Sequence, residues 1–141
     1  MANRLKVAVQ KSGRLLDDSL KLLKECGISI DNGRNQLKAS ARNFPIDVLY
    51  HRNGDIPQYV QDGVADIGII GQNTVLEKEK NIKEALQLGF SKCRLSIATP
   101  RQTDYSGPQW LAGKRIATSY PNSLRQYLKS NNVTAEIHEI S

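Results

Sequence analysis

The stretch VAVQKSGRLLDDSLKLLKECGI, residues 7–28, constrains the fold most. Val7–Val9 form an apolar run that gives way to Gln10-Lys11-Ser12-Gly13-Arg14. Leu16, Leu20 and Leu23 then recur at helical spacing, with Leu15, Leu22 and Cys26 widening the stripe until Gly27 stops it. The pattern is a strand, a tight polar turn and a helix, the unit from which parallel sheets are built. A helix start offers about four unpaired N–H groups and a partial positive charge. A glycine there lets backbone approach a ligand, and Lys11 and Arg14 add full charges. The joint therefore suits an anion, above all a phosphate. The same residues also read as a solvated turn in which Ser12 caps the helix, and they lack the full phosphate-loop pattern of Gly-x-x-x-x-Gly-Lys-Ser/Thr.

The rest of the chain repeats this grammar. Asp31-Asn32-Gly33 is a hairpin-type turn signal. In FPIDVLYHR, residues Ile46, Val48 and Leu49 mark a strand; in NGDIPQYVQDG, Asp55 caps a short helix, Pro57 suits its first turn and Gly63 ends it. ADIGIIG reads as a compact buried strand closed by Gly71, and QNTVLEKE as a helix with Asn73 as cap and Glu77 in its first turn. ALQLGF and CRLSIATP read as two strands joined at Ser91-Lys92. RQTDYSGPQ is a polar linker, and the segment beyond it runs strand, turn, helix, strand. Strands alternating with helices predict an α/β architecture with a largely parallel sheet, whose ligands gather at the carboxyl ends of the strands.

Composition narrows the function. The net charge of +6 and pI near 9.4 favour anionic partners, but the cations are dispersed and aromatics make up only 6%, so a small phosphate-bearing molecule explains the excess better than nucleic acid. Apolar runs of a few residues and an N-terminus without a signal-type stretch predict a cytoplasmic protein with no membrane span. Cys26, Cys93, His51 and His138 share no metal-type spacing, and Cys26 is expected to be a buried small hydrophobe on the helix stripe. Arg52 can hold an anion or only pair with Asp55. Asp66 can serve a site or only satisfy backbone donors. Gly68 and Gly71 suggest close approach by a ligand or a neighbouring strand. Arg94, beside Cys93, can face an interdomain cleft. No nucleophilic triad can be assembled: the chain offers cations and backbone.

The segments QKSGRLLDDSLKLLKECGI, NFPIDVLYHRNGDIPQYVQDGVADIGIIGQN, CRLSIATP and GKRIATSYPNSLRQYL, in that order, resemble the ATP phosphoribosyltransferase family. Their style is that of its long, histidine-regulated form. The resemblance implies a two-lobed fold like the type II periplasmic binding proteins, with residues 1–100 in the first lobe and 101–141 as linker and start of an incomplete second lobe. It implies the reaction of ATP with phosphoribosyl pyrophosphate to give N1-(5-phosphoribosyl)-ATP and pyrophosphate, with Mg2+ carried on the substrate phosphates. Matched to the family's motifs, Lys11, Gly13 and Arg14 form the first ligand turn. Arg52 and Asp55 match an arginine-x-x-Asp-Ile-Pro element, Asp66, Gly68 and Gly71 match a strand lining the cleft, and Cys93 and Arg94 match a strand near the adenine. Gln72 departs from the family pattern and is given no role. Histidine as feedback inhibitor and a homo-oligomeric state, dimer or hexamer, are implied for the full-length enzyme.

The family's glycine- and threonine-rich phosphate loop lies further along than Ser141, so the chain resembles an N-terminal portion. Pyrophosphate release by it alone is expected to be poor. The alternative function is a non-catalytic module of the same fold that holds an anionic small molecule.

Overall fold

The computed structural model describes residues 3–31 and 37–141, which form two compact units, Met1–Cys93 and Arg94–Ser141. The first is a mixed α/β unit around a four-stranded sheet. Its elements are β1 (Leu5–Gln10), α1 (Arg14–Glu25), β2 (Lys38–Ser40), β3 (Ile46–His51), α2 (Ile56–Gln61), β4 (Ile67–Gly68) and α3 (Gln72–Lys78), with a 3-10 turn over Asn53–Asp55. The sheet order is β2-β3-β1-β4; β1 runs parallel to β3 and β4, and β2 is antiparallel to β3.

Strand alternation sends the apolar residues to two faces. Val7, Val9, Val48 and Tyr50 are buried on one face with Leu23 of α1, and Leu16 packs against them. Ala8 is buried on the other with Ile56 of α2 and Ala65, and Leu49, Val60 and Ile70 join them. The helix α1 ends where Gly27 was expected to stop it. Gly27 has φ of 79°, a left-handed conformation suited to glycine, and its N–H donates to the Lys24 carbonyl while the Ile28 N–H donates to that of Leu23. That pair of bonds is a Schellman closure, accompanied by packing of Ile28 onto the Leu23 cluster.

Arg4 and Asp47 tie the amino end of β1 to β3. The Arg4 guanidinium donates to the Asp47 carboxylate at 2.7 Å and to the Ala41 and Ile46 carbonyls at 3.0 Å each, and Ser40 donates to the same carboxylate at 2.8 Å. The hydrogen bond from Arg4, then that from Ser40, hold the Asp47 carboxyl at about 2, against an ordinary 3.8. A depressed carboxylate stabilises the fold above its unfolded pKa, and that contribution fades as pH falls from about 4 to about 2. With Arg4 part-exposed, we expect about 1–2 kcal/mol at neutral pH, roughly half of it gone by pH 3. Urea unfolding of the parent and Asp47→Asn at pH 6 and pH 3 checks this: the stability gap should narrow on acidification, and a constant gap refutes it.

The second unit contains β5 (Arg115–Thr118), α4 (Pro121–Ser130) and β6 (Glu136–Glu139), with a 3-10 turn over Pro108–Leu111. The two strands are parallel, and Leu111, Leu128 and Val133 form the core under them. Residues 101–109, read as a linker from sequence, lie inside this unit.

Several expectations are corrected. ALQLGF and CRLSIATP are not strands: among the described residues, 79–107 contain none. An alternating segment becomes a strand only with a ladder partner, and here Leu86, Leu88, Leu95 and Ile97 stand exposed with none. The strand in ADIGIIG is two residues long, and Ile67 is 48% exposed because β4 is a sheet edge. Helix α3 starts at Gln72 after an extended Gly71, whose carbonyl accepts the Thr74 and Val75 N–H groups. Asn73 is therefore inside the first turn and not its cap, and Glu77 is buried in the last turn. Cys26 is exposed, because it follows the last turn of α1 at the point where the Schellman closure diverts the chain. Asn32 and Gly33 of the hairpin-type turn fall among residues 32–36, outside the described residues.

Candidate functional site at the carboxyl edge of the sheet

The three parallel strands of the first unit end at one edge, and their registers fix what meets there. Gln10 pairs with His51, and the ladder continues one step further as the Lys11 N–H donates to the His51 carbonyl at 2.8 Å. On the other flank of β1, the Ile69 N–H donates to the Ala8 carbonyl at 3.0 Å. Residues 11–14, 52–55 and 69–73 therefore leave the same side of the sheet next to one another. α1, α2 and α3 follow them.

The first of these turns is built for an anion. Gly13 precedes α1 with φ of 88° and ψ of −170°, a conformation that side chains resist, and α1 has no side-chain cap. The alternative reading, in which Ser12 only caps the helix, is not met: the turn places Gly13 at that position. Lys11, Ser12, Gly13 and Arg14 are all exposed. Two cations beside the positive end of a helix repel it; Asp17 in the first turn offsets part of that, and an arriving anion would offset more.

Arg52 is exposed on extended backbone at the second turn, and the Asp55 N–H donates to its carbonyl at 2.9 Å. Asp55 occupies the cap position of α2 without a side-chain cap bond, so it does not cap as expected; Pro57 lies in the first turn and Gly63 follows the helix. Arg52 and Asp55 form no ion pair with each other among the described residues, whose ion pairs also leave out Lys11 and Arg14. Asn53 joins the second turn to the third: its amide donates to the Thr74 hydroxyl at 2.6 Å, and its oxygen accepts the Gly71 N–H at 3.4 Å. The Lys78 ammonium lies against Gly54, adding a cation that the sequence did not signal.

Not every expected residue reaches this edge. Asp66 lies at the opposite, amino end of the sheet, where its carboxylate accepts the Lys6 N–H at 2.8 Å. That is four residues up β1 from Gln10, about 13 Å away at strand rise. Gly68 pairs with Ala8 of β1 and is approached closely by α2: a Cβ there would lie 2.6 Å from Ile56 Cγ2 and 3.1 Å from Val60 Cγ2. Gly71 sits at the edge as the cap of α3, with only ordinary contacts around its Cα. Cys93 comes to α3, where the Asn73 amide donates to its sulfur at 3.7 Å. Arg94 is exposed and opens the second unit, on irregular backbone and not on a strand.

His51 was passed over in the sequence because no recognised spacing links it to either cysteine. Its ring stacks on Tyr59 of α2, with centroids 4.3 Å apart and planes 30° apart, and its Nε2 is buried without a hydrogen-bond partner among the described residues. The only signal available was its position, directly before Arg52 at a strand end. Among the described residues no three His, Cys, Asp or Glu side chains are grouped to hold a metal.

A family model described as HisG, ATP phosphoribosyltransferase, matches residues 52–141. The chain is 55% identical to an ATP phosphoribosyltransferase of Cytophaga hutchinsonii over 141 residues, which is all of this chain and 49% of that protein. It is 51% identical to one of Parabacteroides distasonis over 137 residues, 97% of this chain and 48% of that protein. The chain thus spans about half the length of the curated relatives it matches. Among solved structures it is similar to an ATP phosphoribosyl transferase (HisG:HisZ) complex from Thermotoga maritima, with a TM-score of 0.67 and 26% identity over 97% of this chain and 64% of that one.

Proposed function

The chain belongs to the ATP phosphoribosyltransferase family, and from that premise we propose that the carboxyl edge of its first unit binds substrates of phosphoribosyl transfer. The reaction of the whole protein joins ATP to phosphoribosyl pyrophosphate, giving N1-(5-phosphoribosyl)-ATP and pyrophosphate as the first step of histidine biosynthesis. The observation that carries the reading is the pairing of Gln10 with His51, which sets the uncapped, cationic start of α1 beside Arg52.

In this reaction the adenine N1 lone pair forms a bond to ribose C1 as the bond from C1 to the pyrophosphate oxygen breaks and its electrons leave with pyrophosphate. A protein nucleophile has no place in it. The chain's task is to align two polyanions and to balance charge as it moves onto the leaving group. Lys11 and Arg14 are the charge partners of the phosphates, Gly13 admits them to the backbone of α1, and Arg52 adds a cation from the neighbouring turn. Mg2+ arriving on substrate phosphates needs only one or two carboxylates from protein. Asp55 fits that demand, being exposed and not engaged in capping α2. When bound, the ion would neutralise phosphate charge. Gly71 is assigned to the lining of the site, and Cys93 and Arg94 to the neighbourhood of the adenine. Asp66 and Gly68 act through the fold, the first by closing the amino end of β4 and the second by seating α2.

The reading extends to a two-lobed, type II periplasmic-binding-protein-like fold, with the boundary between lobes at Cys93–Arg94 in place of residue 100. It also extends to a cytoplasmic location, a homo-oligomer and histidine feedback in the whole protein. Assembly with a second kind of subunit, of the sort named for the Thermotoga relative, is the competing arrangement. No helix among the described residues is long and apolar enough to cross a membrane.

Titrating ATP and phosphoribosyl pyrophosphate, each with Mg2+, into 15N-labelled chain tests the site. Amide shifts should concentrate at residues 10–14, 51–55 and 69–73. Shifts absent, or spread evenly over exposed lysines and arginines, would overturn it.

A further inference from the structure

Between the end of α3 and Cys93 the first unit has neither helix nor strand, and Leu86 and Leu88 stand exposed. With no ladder to hold it, the course of this stretch depends on single contacts, and three of them meet at residues 90–93. Phe90 is half-buried and lines a cavity of about 220 Å³ with Asp18, Lys21, Leu22 and Glu25, all on α1. The Ser91 hydroxyl donates to the Asp18 carboxylate at 2.5 Å, and the Cys93 sulfur accepts the Asn73 amide at 3.7 Å.

The two anchors belong to different helices. Asp18 lies one turn beyond Arg14 on the same face of α1, and Asn73 lies in the first turn of α3. The two peptide steps from Ser91 to Cys93 span at most about 7 Å. Residues 90–93 therefore form a short strap from α1 to α3, whose ends rest within one helical turn of residues 11–14 and 69–73. Its backbone shows what pins it. Ser91 has φ of 50°, a left-handed conformation that costs a serine free energy and that glycine adopts freely. Gly89, with φ of 78°, meets the same demand two residues earlier with the residue suited to it. A strained residue persists where its surroundings over-determine it. At Ser91 the surrounding is a part-buried bond from its hydroxyl to a charged carboxylate, which glycine could not make.

We infer that Asp18 and Ser91 are positioning residues of the carboxyl edge: their bond pins the strap and so sets Cys93 against Asn73 beside the site. Neither side chain has to touch substrate. The inference rests on the reading of this edge as a site for ATP and phosphoribosyl pyrophosphate, in which Cys93 neighbours the adenine. ATP affinity should then depend on the clasp, and phosphoribosyl pyrophosphate affinity should not.

Three variants of the chain, 15N-labelled, test this: Asp18→Ala and Ser91→Ala break the bond, and Asp18→Asn keeps an oxygen acceptor without the charge. Amide order parameters at residues 90–93 should fall from about 0.85 to below about 0.6 in the two alanine variants and stay near the parental value in Asp18→Asn. The Asn73 side-chain resonances should shift with them. In calorimetric titrations with Mg2+, ATP should bind the alanine variants about five- to tenfold more weakly, because binding has first to re-dock the strap. The double alanine variant should be no weaker than either single one, since both remove the same bond. Electrostatics alone predicts the opposite sign: loss of a carboxylate one turn from Arg14 should strengthen the binding of an anion. Asp18→Asn should therefore bind ATP at least as well as the parent. Order retained at residues 90–93 in Asp18→Ala overturns the clasp, whatever the affinities. A loosened strap with parental ATP affinity, or equal weakening of both ligands, overturns the positioning role and leaves the substrate reading intact. A parent that binds neither ligand refutes the substrate reading and the role of the clasp in it, while the order parameters still decide whether the bond pins the strap.

Discussion

Arg14→Ala is expected to weaken ATP binding by about 10- to 100-fold while leaving the protein as stable as the parent, or slightly more so. The affinity loss follows from removing a charge-assisted bond to phosphate, about 1.5–3 kcal/mol where the partner is charged. The stability side follows from position. Arg14 is exposed at the first residue of α1, where the helix already presents positive charge and no side chain caps it. A cation there costs a few tenths of a kcal/mol or more, and alanine is the better helix former. A cation at a helix start that is in no ion pair among the described residues has a reason outside the fold. Titration of ATP with Mg2+, with thermal unfolding of both proteins, decides the matter. Unchanged affinity refutes the role of Arg14, and a fall of several degrees in melting temperature would mean that the arginine serves the helix instead. Charge reversal sharpens the contrast: Arg14→Glu should abolish ATP binding and raise stability, because a carboxylate suits a helix N-terminus.

The parts of this protein that were legible in sequence are those that local physics dictates. The strand–turn–helix at residues 7–28 is visible because the apolar period changes from strand-like to helical across five polar residues, and Gly27 supplies the left-handed closure that α1 uses. The parallel pair β5 and β6 around α4 is legible for the same reason. Illegible parts depend on partners distant in sequence. ALQLGF and CRLSIATP have strand composition, yet composition is not a ladder, and their apolar side chains remain exposed. Cys26 has the spacing of a stripe residue, but the stripe's buried part ends at Leu23.

The candidate site divides in the same way. Lys11, Gly13, Arg14, Arg52 and Asp55 could be picked out because each lies where a strand gives way to a helix. Asp66 and Gly68 came from the same stretch of sequence, but direction along β4 separates them: Asp66 is at the strand's start, bound to Lys6, and Gly68 faces α2. The register against β1 decides between the two readings of Asp66, because it sets its carboxylate on the Lys6 N–H at the amino end of the sheet. Asn53 and His51 were missed because their meaning is a contact with Thr74 and with Tyr59, 21 and 8 positions away in sequence. A residue type says what chemistry is possible, and only the neighbours say whether it is already used.

Gly68 offers the sharpest test of that distinction. Gly68→Ala is expected to destabilise the first unit by about 1–3 kcal/mol, the usual cost of forcing a methyl group into a filled core. The new Cβ would sit 2.6 Å from Ile56 Cγ2, closer than real Cβ contacts allow, with Val60 and Ile70 methyls at 3.1 and 3.3 Å closing the other sides. Ile56 is fully buried and opens α2, so it has no empty space into which to retreat. Relief has to come from moving α2 away from β4, and the Arg52–Asp55 turn moves with it. Shortening Ile56 should absorb part of the strain. In a double-mutant cycle, Gly68→Ala combined with Ile56→Ala should cost less than the sum of the two, where Ile56→Ala alone costs about 2–5 kcal/mol. Urea denaturation of the four proteins measures the coupling. Had Gly68 been glycine to admit a ligand, the alanine variant would keep parental stability and lose only ATP affinity. A stable Gly68→Ala with weakened binding would therefore return this residue to the site and refute its role as the seat of α2.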